Sequence, residues 1–443
     1  MTRVQLTAVA VLSLLATVLV LVGASAHNPD LDLAKLASQS APKTIAAAPL
    51  ASSDPVEDAS VADESSTSGI DVSSGADVAA DTDTDETPSE ADDEETNPDT
   101  EDPGATPAEP KPTKIKHVFV IALAGHGFDA TFGAGSVATY LNGTLRPQGA
   151  LLENYSSLGR ADLPDHLALV GGQPPNADTR AGCPTFKEIP PTNVPSKAGV
   201  IAAAGCVFPN TVTTLGDQLS ASRRSWRAYV EDLEQGPAGK ATCRHPESNG
   251  PDDTIKARAG DGYATRHNPF VYFHSLLDLG DCDANDGALT ELEQDLRTVK
   301  DTASFSYVVP NLCNDGTESP CVDGSPGGLA AADAFLTTWV PKILASPAYK
   351  ADGLLIVTFA GDVTPPADPA AAPATDAPVR NGALLVSRFA RAGSTAGAAY
   401  DPYSLLRSVE DLFALRPLAK AADATSFAPT VLGDAYEAPA NEG

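Results

Sequence analysis

Two uninterrupted apolar runs constrain this chain most. One is Val118 to Leu123, followed by the small residues Ala124, Gly125 and Gly127 around His126; the other lies within "GLLIVTFAGD" at 353–362. Neither run offers a polar face to water, so each is expected to be a strand buried on both sides, the arrangement of a parallel sheet covered by helices. Segments between and around them supply helices and further strands. A helix is expected near 134–142, another from Leu163 towards Val170, and a third in "TVTTLGDQLSASRRSWRAYVEDL" after Thr213, where Leu215, Leu219, Trp226 and Val230 recur near helical spacing. Residues 305–310 and 382–389 read as strands. Residues 327–346 read as a helix broken at Pro341, and 401–415 as an amphipathic helix. Alternating strands and helices define an α/β domain with a mostly parallel central sheet and helices on both faces.

Charge is unevenly placed. The whole chain carries a formal −30, and residues 51–110 hold 20 Asp or Glu with no Lys or Arg between Lys43 and Lys111. Such a balance excludes nucleic acid as the expected partner. Residues 27–112, rich in acids, Ser, Thr, Pro and Ala, cannot bury enough apolar surface to offset their ordering entropy, and read as a disordered, self-repelling acidic linker. Ahead of it, Arg3, the uncharged run Val4–Gly23 and Ala24-Ser25-Ala26 read as a signal peptide over residues 1–26, with an uncleaved membrane anchor as the alternative. The folded part is expected over 113–443. The expected location is therefore secreted or cell-surface.

The six cysteines, Cys183, Cys206, Cys243, Cys282, Cys313 and Cys321, form no C-x-x-C pair. An even number behind an export signal points to disulfides rather than a zinc site. Sequential pairing is the expectation, although sequence alone allows 15 connectivities.

Several segments occur in an order that resembles the bacterial phosphoesterase family of secreted acid phosphatases and phospholipases C: "IKHVFVIALAGHGFDATFG", "GRADLPDHLALVGGQPPN", "CRHPESN", "YATRHNPFVYF", "YVVPNLCNDGTESPC", "VPKILASPAYKADGLLIVTFAGD" and "YDPYSLLRSVEDLFAL". The resemblance runs over about 113–436 and implies an alkaline-phosphatase-like fold and metal-assisted hydrolysis of phosphate esters. It also implies positions that this chain fills differently. The family's Glu-Asn metal ligands after the first strand fall on Ala124 and Gly125. Its Ser or Thr nucleophile falls on Asp162 and the preceding His on Arg160. Its Gly-His-Asp falls on Gly316, Thr317 and Glu318, its Asp-Glu on Ala360 and Gly361, and its last His on Pro402. A site missing most of its hard ligands loses both affinity and geometry, so no cofactor is expected at the old position.

Polar candidates remain. Asp162, at the nucleophile position, and His267, in "RHNPF", are the candidate catalytic residues. Asp162 also reads as a helix cap before Leu163-Pro164, and His267 as a loop-orienting residue. His126, Asp165, His166 and Asp362 are the candidates for a relocated metal site, where carboxylate and imidazole would suit a divalent cation. Each has a plainer reading as a turn or first-turn residue. Three functions follow. The favoured one is a degenerate, non-catalytic binding or interaction protein on a phosphoesterase scaffold, its partner unspecified beyond the cell envelope or a phosphate-ester ligand. The alternative is an active metal-dependent phosphatase with a relocated site. A third is a structural envelope protein whose working part is the acidic tether. In the favoured case the strand ends at Ala124 and Ala360 face one crevice, emptier and less negative than the family's, with Asp162 at its floor.

Overall fold

The structure, a computed structural model, describes residues 113–236, 241–362, 377–433 and 435. The expected signal segment and linker lie outside the described residues. Among the described residues no helix is long and apolar enough to cross a membrane.

Among the described residues eight strands form one sheet in the order β4-β3-β5-β1-β6-β7-β2-β8. They are β1 (His117–Ala124), β2 (Ala150–Leu152), β3 (Trp226–Val230), β4 (Asp286–Ala288), β5 (Phe305–Val309), β6 (Gly353–Ala360), β7 (Ala383–Val386) and β8 (Ser394–Ala396). Only β7 runs antiparallel to its neighbours β6 and β2; the other pairings are parallel. The two apolar runs are the central neighbours, and all eight residues of both β1 and β6 are buried.

Alternation along these strands builds two cores. Val118, Val120 and Ala122 pack on one face with Leu354 and Ile356. Phe119, Ile121 and Leu123 pack on the other with Leu355 and Val357. The first face is covered by α1 (Leu163–Gly171), α2 (Leu215–Ala221) and α4 (Pro402–Phe413), and the second by α3 (Leu329–Ala345). Helices on both faces explain why neither strand needs a polar side.

Local differences from the sequence reading have physical causes. The helix expected after Thr213 stops at Ala221; Arg223 adopts φ 58°, and the chain turns into β3. Trp226, Ala228 and Val230 point into one core and Tyr229 into the other, a period of two that the helical count had absorbed. Helix α3 runs through Pro341 without a break, and the proline is exposed within its last turns. The helix expected near 134–142 is absent from most of that range; a short π-type turn occupies Leu141–Leu145 instead. The three disulfides are Cys183–Cys206, Cys243–Cys282 and Cys313–Cys321, the sequential set.

Candidate functional site

Parallel strands deliver their carboxyl ends to one edge of the sheet, where α/β proteins gather their chemistry. Ala124 and Ala360 are register partners at that edge, so the two strand ends do sit side by side. The crevice expected between them is not empty. Gly125 donates its N–H to Ala360 O at 3.0 Å. Gly361, at φ 62°, lies so close to the 160–162 backbone that a Cβ there would stand 2.5 Å from Arg160 O and 2.9 Å from Asp162 N. Asn381, fully buried, donates to His126 O at 3.0 Å and Gly361 O at 2.7 Å and accepts from Ser157 N at 3.0 Å. The loop before α1 packs onto the strand end, so the space is filled by backbone and one amide rather than left open.

Asp162 stands at the start of α1. Its Oδ1 accepts the Leu163 N–H at 2.7 Å, and its Oδ2 accepts from Arg266 Nε at 3.0 Å and His267 Nε2 at 2.7 Å. The contact to the first helical N–H is a partial cap. The other two bonds make Asp162 the hub of an ion cluster. His267 Nδ1 lies 3.1 Å from Asp315 Oδ2, and Asp315 Oδ1 accepts from Thr317 N and Oγ1 at 2.6 and 2.8 Å. Arg266 also donates to Ile255 O at 3.1 Å. Burial opposes ionisation of Asp162, yet Arg266 and His267 hold its carboxyl well below the usual carboxylate range. Burial likewise opposes a charged His267, but Asp162 and then Asp315 raise it above the ordinary histidine value. With a carboxylate on each ring nitrogen, His267 is an imidazolium bridge.

The relocated-site candidates diverge. Asp165 accepts Leu158 N at 2.7 Å and Gly361 N at 2.8 Å; burial pushes its carboxyl up to about 8 against these donors. It staples the loop to the end of β6. His166 bonds Tyr307 Oη through Nδ1 at 2.7 Å and leaves Nε2 without a partner; burial and the His267 charge push it down to about 3, so it is neutral. Half-buried His126 bonds Gly316 O at 2.8 Å, and burial lowers it below the ordinary value. Asp362 pairs with Arg160 at 3.3 Å. Pro402 is the buried first residue of α4, capped by Asp401 accepting Ser404 N at 2.8 Å.

Four positions that the resemblance assigns to metal ligands, Ala124, Gly125, Ala360 and Gly361, therefore carry no side-chain donor, and at Gly361 the 160–162 backbone leaves no room for one. Among the described residues one trio of His, Cys, Asp or Glu brings its ligand atoms together, Cys243, Cys282 and Asp286, and its sulfurs are joined in a disulfide. The residues present do not fit a divalent cation at the strand ends. Sequence reasoning missed Arg266, Asp315 and Asn381. Arg266 adjoins His267 in "RHNPF", and Asp315 precedes the Gly316-Thr317-Glu318 on which the family's Gly-His-Asp falls; Asn381 has no local signal, because its role depends on a fold contact.

The chain is a mixed α/β protein with a mostly parallel sheet and a cluster of ionisable residues at the carboxyl edge. The family model of the phosphoesterase family matches residues 137–416, and the chain belongs to that family. A probable acid phosphatase of Kluyveromyces lactis is 21% identical over 245 residues, 55% of this chain and 47% of the relative. The chain thus matches about half the length of that curated relative. Similar solved structures include an alkaline phosphatase superfamily protein from Vibrio parahaemolyticus (TM-score 0.41, 14% identity, 71% of this chain and 70% of that one). Another is the phosphonate monoester hydrolase of Silicibacter pomeroyi (TM-score 0.39, 11% identity, 74% and 78%).

Proposed function

We propose that this chain is an exported, non-catalytic member of the phosphoesterase family, a binding or interaction protein on a hydrolase scaffold. The observation that carries the reading is the state of Asp162. At the nucleophile position its carboxylate is engaged by Arg266, His267 and the Leu163 N–H, three of the roughly four acceptor sites a carboxylate has. A nucleophile must be free and activated; this one is neutralised. The closed strand ends support the same reading, since a loop packed against Gly361 occupies the place of a cation and its ester. Export is supported by the three disulfides, which belong to oxidising compartments.

An active enzyme with a relocated cation would need His126, Asp165, His166 and Asp362 to converge, and their bonds direct them elsewhere. The test is elemental analysis of the purified, oxidised protein after exposure to zinc, manganese, calcium and iron(II). The reading expects less than a tenth of an equivalent of each to survive gel filtration, on the order of background for a chain without a preformed donor set. A stoichiometric cation that Asp162→Ala or Asp362→Ala removes would overturn it in favour of the relocated site.

A further inference from the structure

Away from the strand ends, Cys243, Cys282 and Asp286 meet in the core beside β4. Cys282 Sγ is 3.9 Å from Asp286 Oδ2, and the ligand atoms of all three lie within 4.8 Å of one another. Asp286 is completely buried. Its Oδ2 accepts from Asn268 Nδ2 at 2.7 Å, and the Cys243 backbone also donates to the carboxyl group. Two sulfurs and a carboxylate are a donor set for a thiophilic divalent cation, with zinc as the type case. Only the S–S bond keeps the sulfurs from serving. Cys243 also forms part of the wall of a cavity of about 400 Å³ with Arg244, His245 and Pro246.

We propose that reduction of Cys243–Cys282 converts this corner of the core into a binding site for a thiophilic divalent cation, held by the two cysteine sulfurs and Asp286. The reductant is of the dithiol class. It supplies two electrons and two protons, its own sulfurs close to a disulfide, and the Cys243–Cys282 bond becomes two thiols. The cation then displaces both thiol protons to solvent. At a zinc–sulfur distance of about 2.3 Å, tetrahedral coordination separates the sulfurs by roughly 3.8 Å, so they must part and close on the cation from two sides. The bond from Asn268 fixes the rotation of the Asp286 carboxylate, the part an outer partner plays in a metal site.

The test uses the full chain reduced anaerobically with a water-soluble phosphine, which takes oxygen from water and gives up no thiol ligand of its own. Cadmium is the probe, read by its thiolate charge-transfer absorbance, with far-ultraviolet circular dichroism recorded alongside. Reduced protein should bind one equivalent more than the reduced Cys243→Ala/Cys282→Ala variant, which keeps the other four cysteines. Asp286→Asn should weaken that equivalent by about tenfold or more while the dichroism stays native. Equal uptake by wild type and double variant would overturn the proposal, as would equal uptake before reduction. Indifference to Asp286→Asn, or loss of the folded spectrum on reduction, would count against it equally, because binding would then owe nothing to the folded site.

Discussion

Replacing Asp162 with alanine separates a structural ion cluster from a working nucleophile. The substitution removes charged hydrogen bonds at 2.7 Å to His267 and 3.0 Å to Arg266 and strands both cations. Removing one partner of a buried pair typically costs about 3–5 kcal/mol. Asp315 still faces His267 and Ile255 O still accepts from Arg266, which places the cost at the lower end, about 3 kcal/mol. For a domain of this size that is roughly 4–5 °C in Tm. The pH window follows from two opposite shifts. The depressed Asp162 contributes stability above its unfolded value of 3.8, lost as pH falls through its lower folded value. The raised His267 contributes stability below its unfolded value of 6.5, lost as pH rises through its higher folded value. The penalty of Asp162→Ala should therefore be greatest between about pH 4 and 6.5 and shrink on either side. Urea denaturation of both proteins across this range measures it. A functional nucleophile behaves in the opposite way, because sites strained for catalysis commonly gain stability when the nucleophile is removed. A variant as stable as wild type, or more stable, at pH 5.5 would refute the reasoning.

Other outcomes follow from the same structure. Asn381→Ala should cost about 2 kcal/mol in urea denaturation, because it orphans His126 O and Gly361 O in a buried loop junction, while Ser157 N keeps its bond to Val379 O. Glu410 is fully buried, accepts Leu418 N at 2.8 Å, and is pushed by burial up to about 9 from 4.5. Its contribution is full below pH 4.5 and lost as pH rises towards 9, so Glu410→Gln should match wild type near pH 4 and gain at least about 1 kcal/mol at pH 8. Limited proteolysis should remove residues 27–112 and leave a stable core starting near Lys114, and a segment 27–112 that resists protease would count against the linker reading.

Much of the scaffold could be read from particular residues. The β1 and β6 runs are legible because a strand covered on both faces has no reason to alternate. Asp401-Pro402 marks α4 by its cap and its proline. Strand β3 was hidden because Leu215, Leu219, Trp226 and Val230 mimic a helical spacing across a turn that only Arg223's backbone reveals. At the site, substitution of the ligand positions was visible in Ala124, Gly125, Ala360 and Gly361. What replaced them was not. Closure of the loop on Gly361, with Asn381 bridging, depends on contacts over more than two hundred residues of sequence. The pairing of Asp162 with Arg266 and His267 spans 104 and 105 residues, beyond any local pattern.

Hydrolysis of p-nitrophenyl phosphate by wild-type protein and Asp162→Ala, side by side from pH 5 to 9 with and without added divalent cations, tests the central claim most directly. The account expects no turnover above buffer from either protein under any of these conditions. Metal-dependent hydrolysis by the wild type that disappears in Asp162→Ala would contradict it.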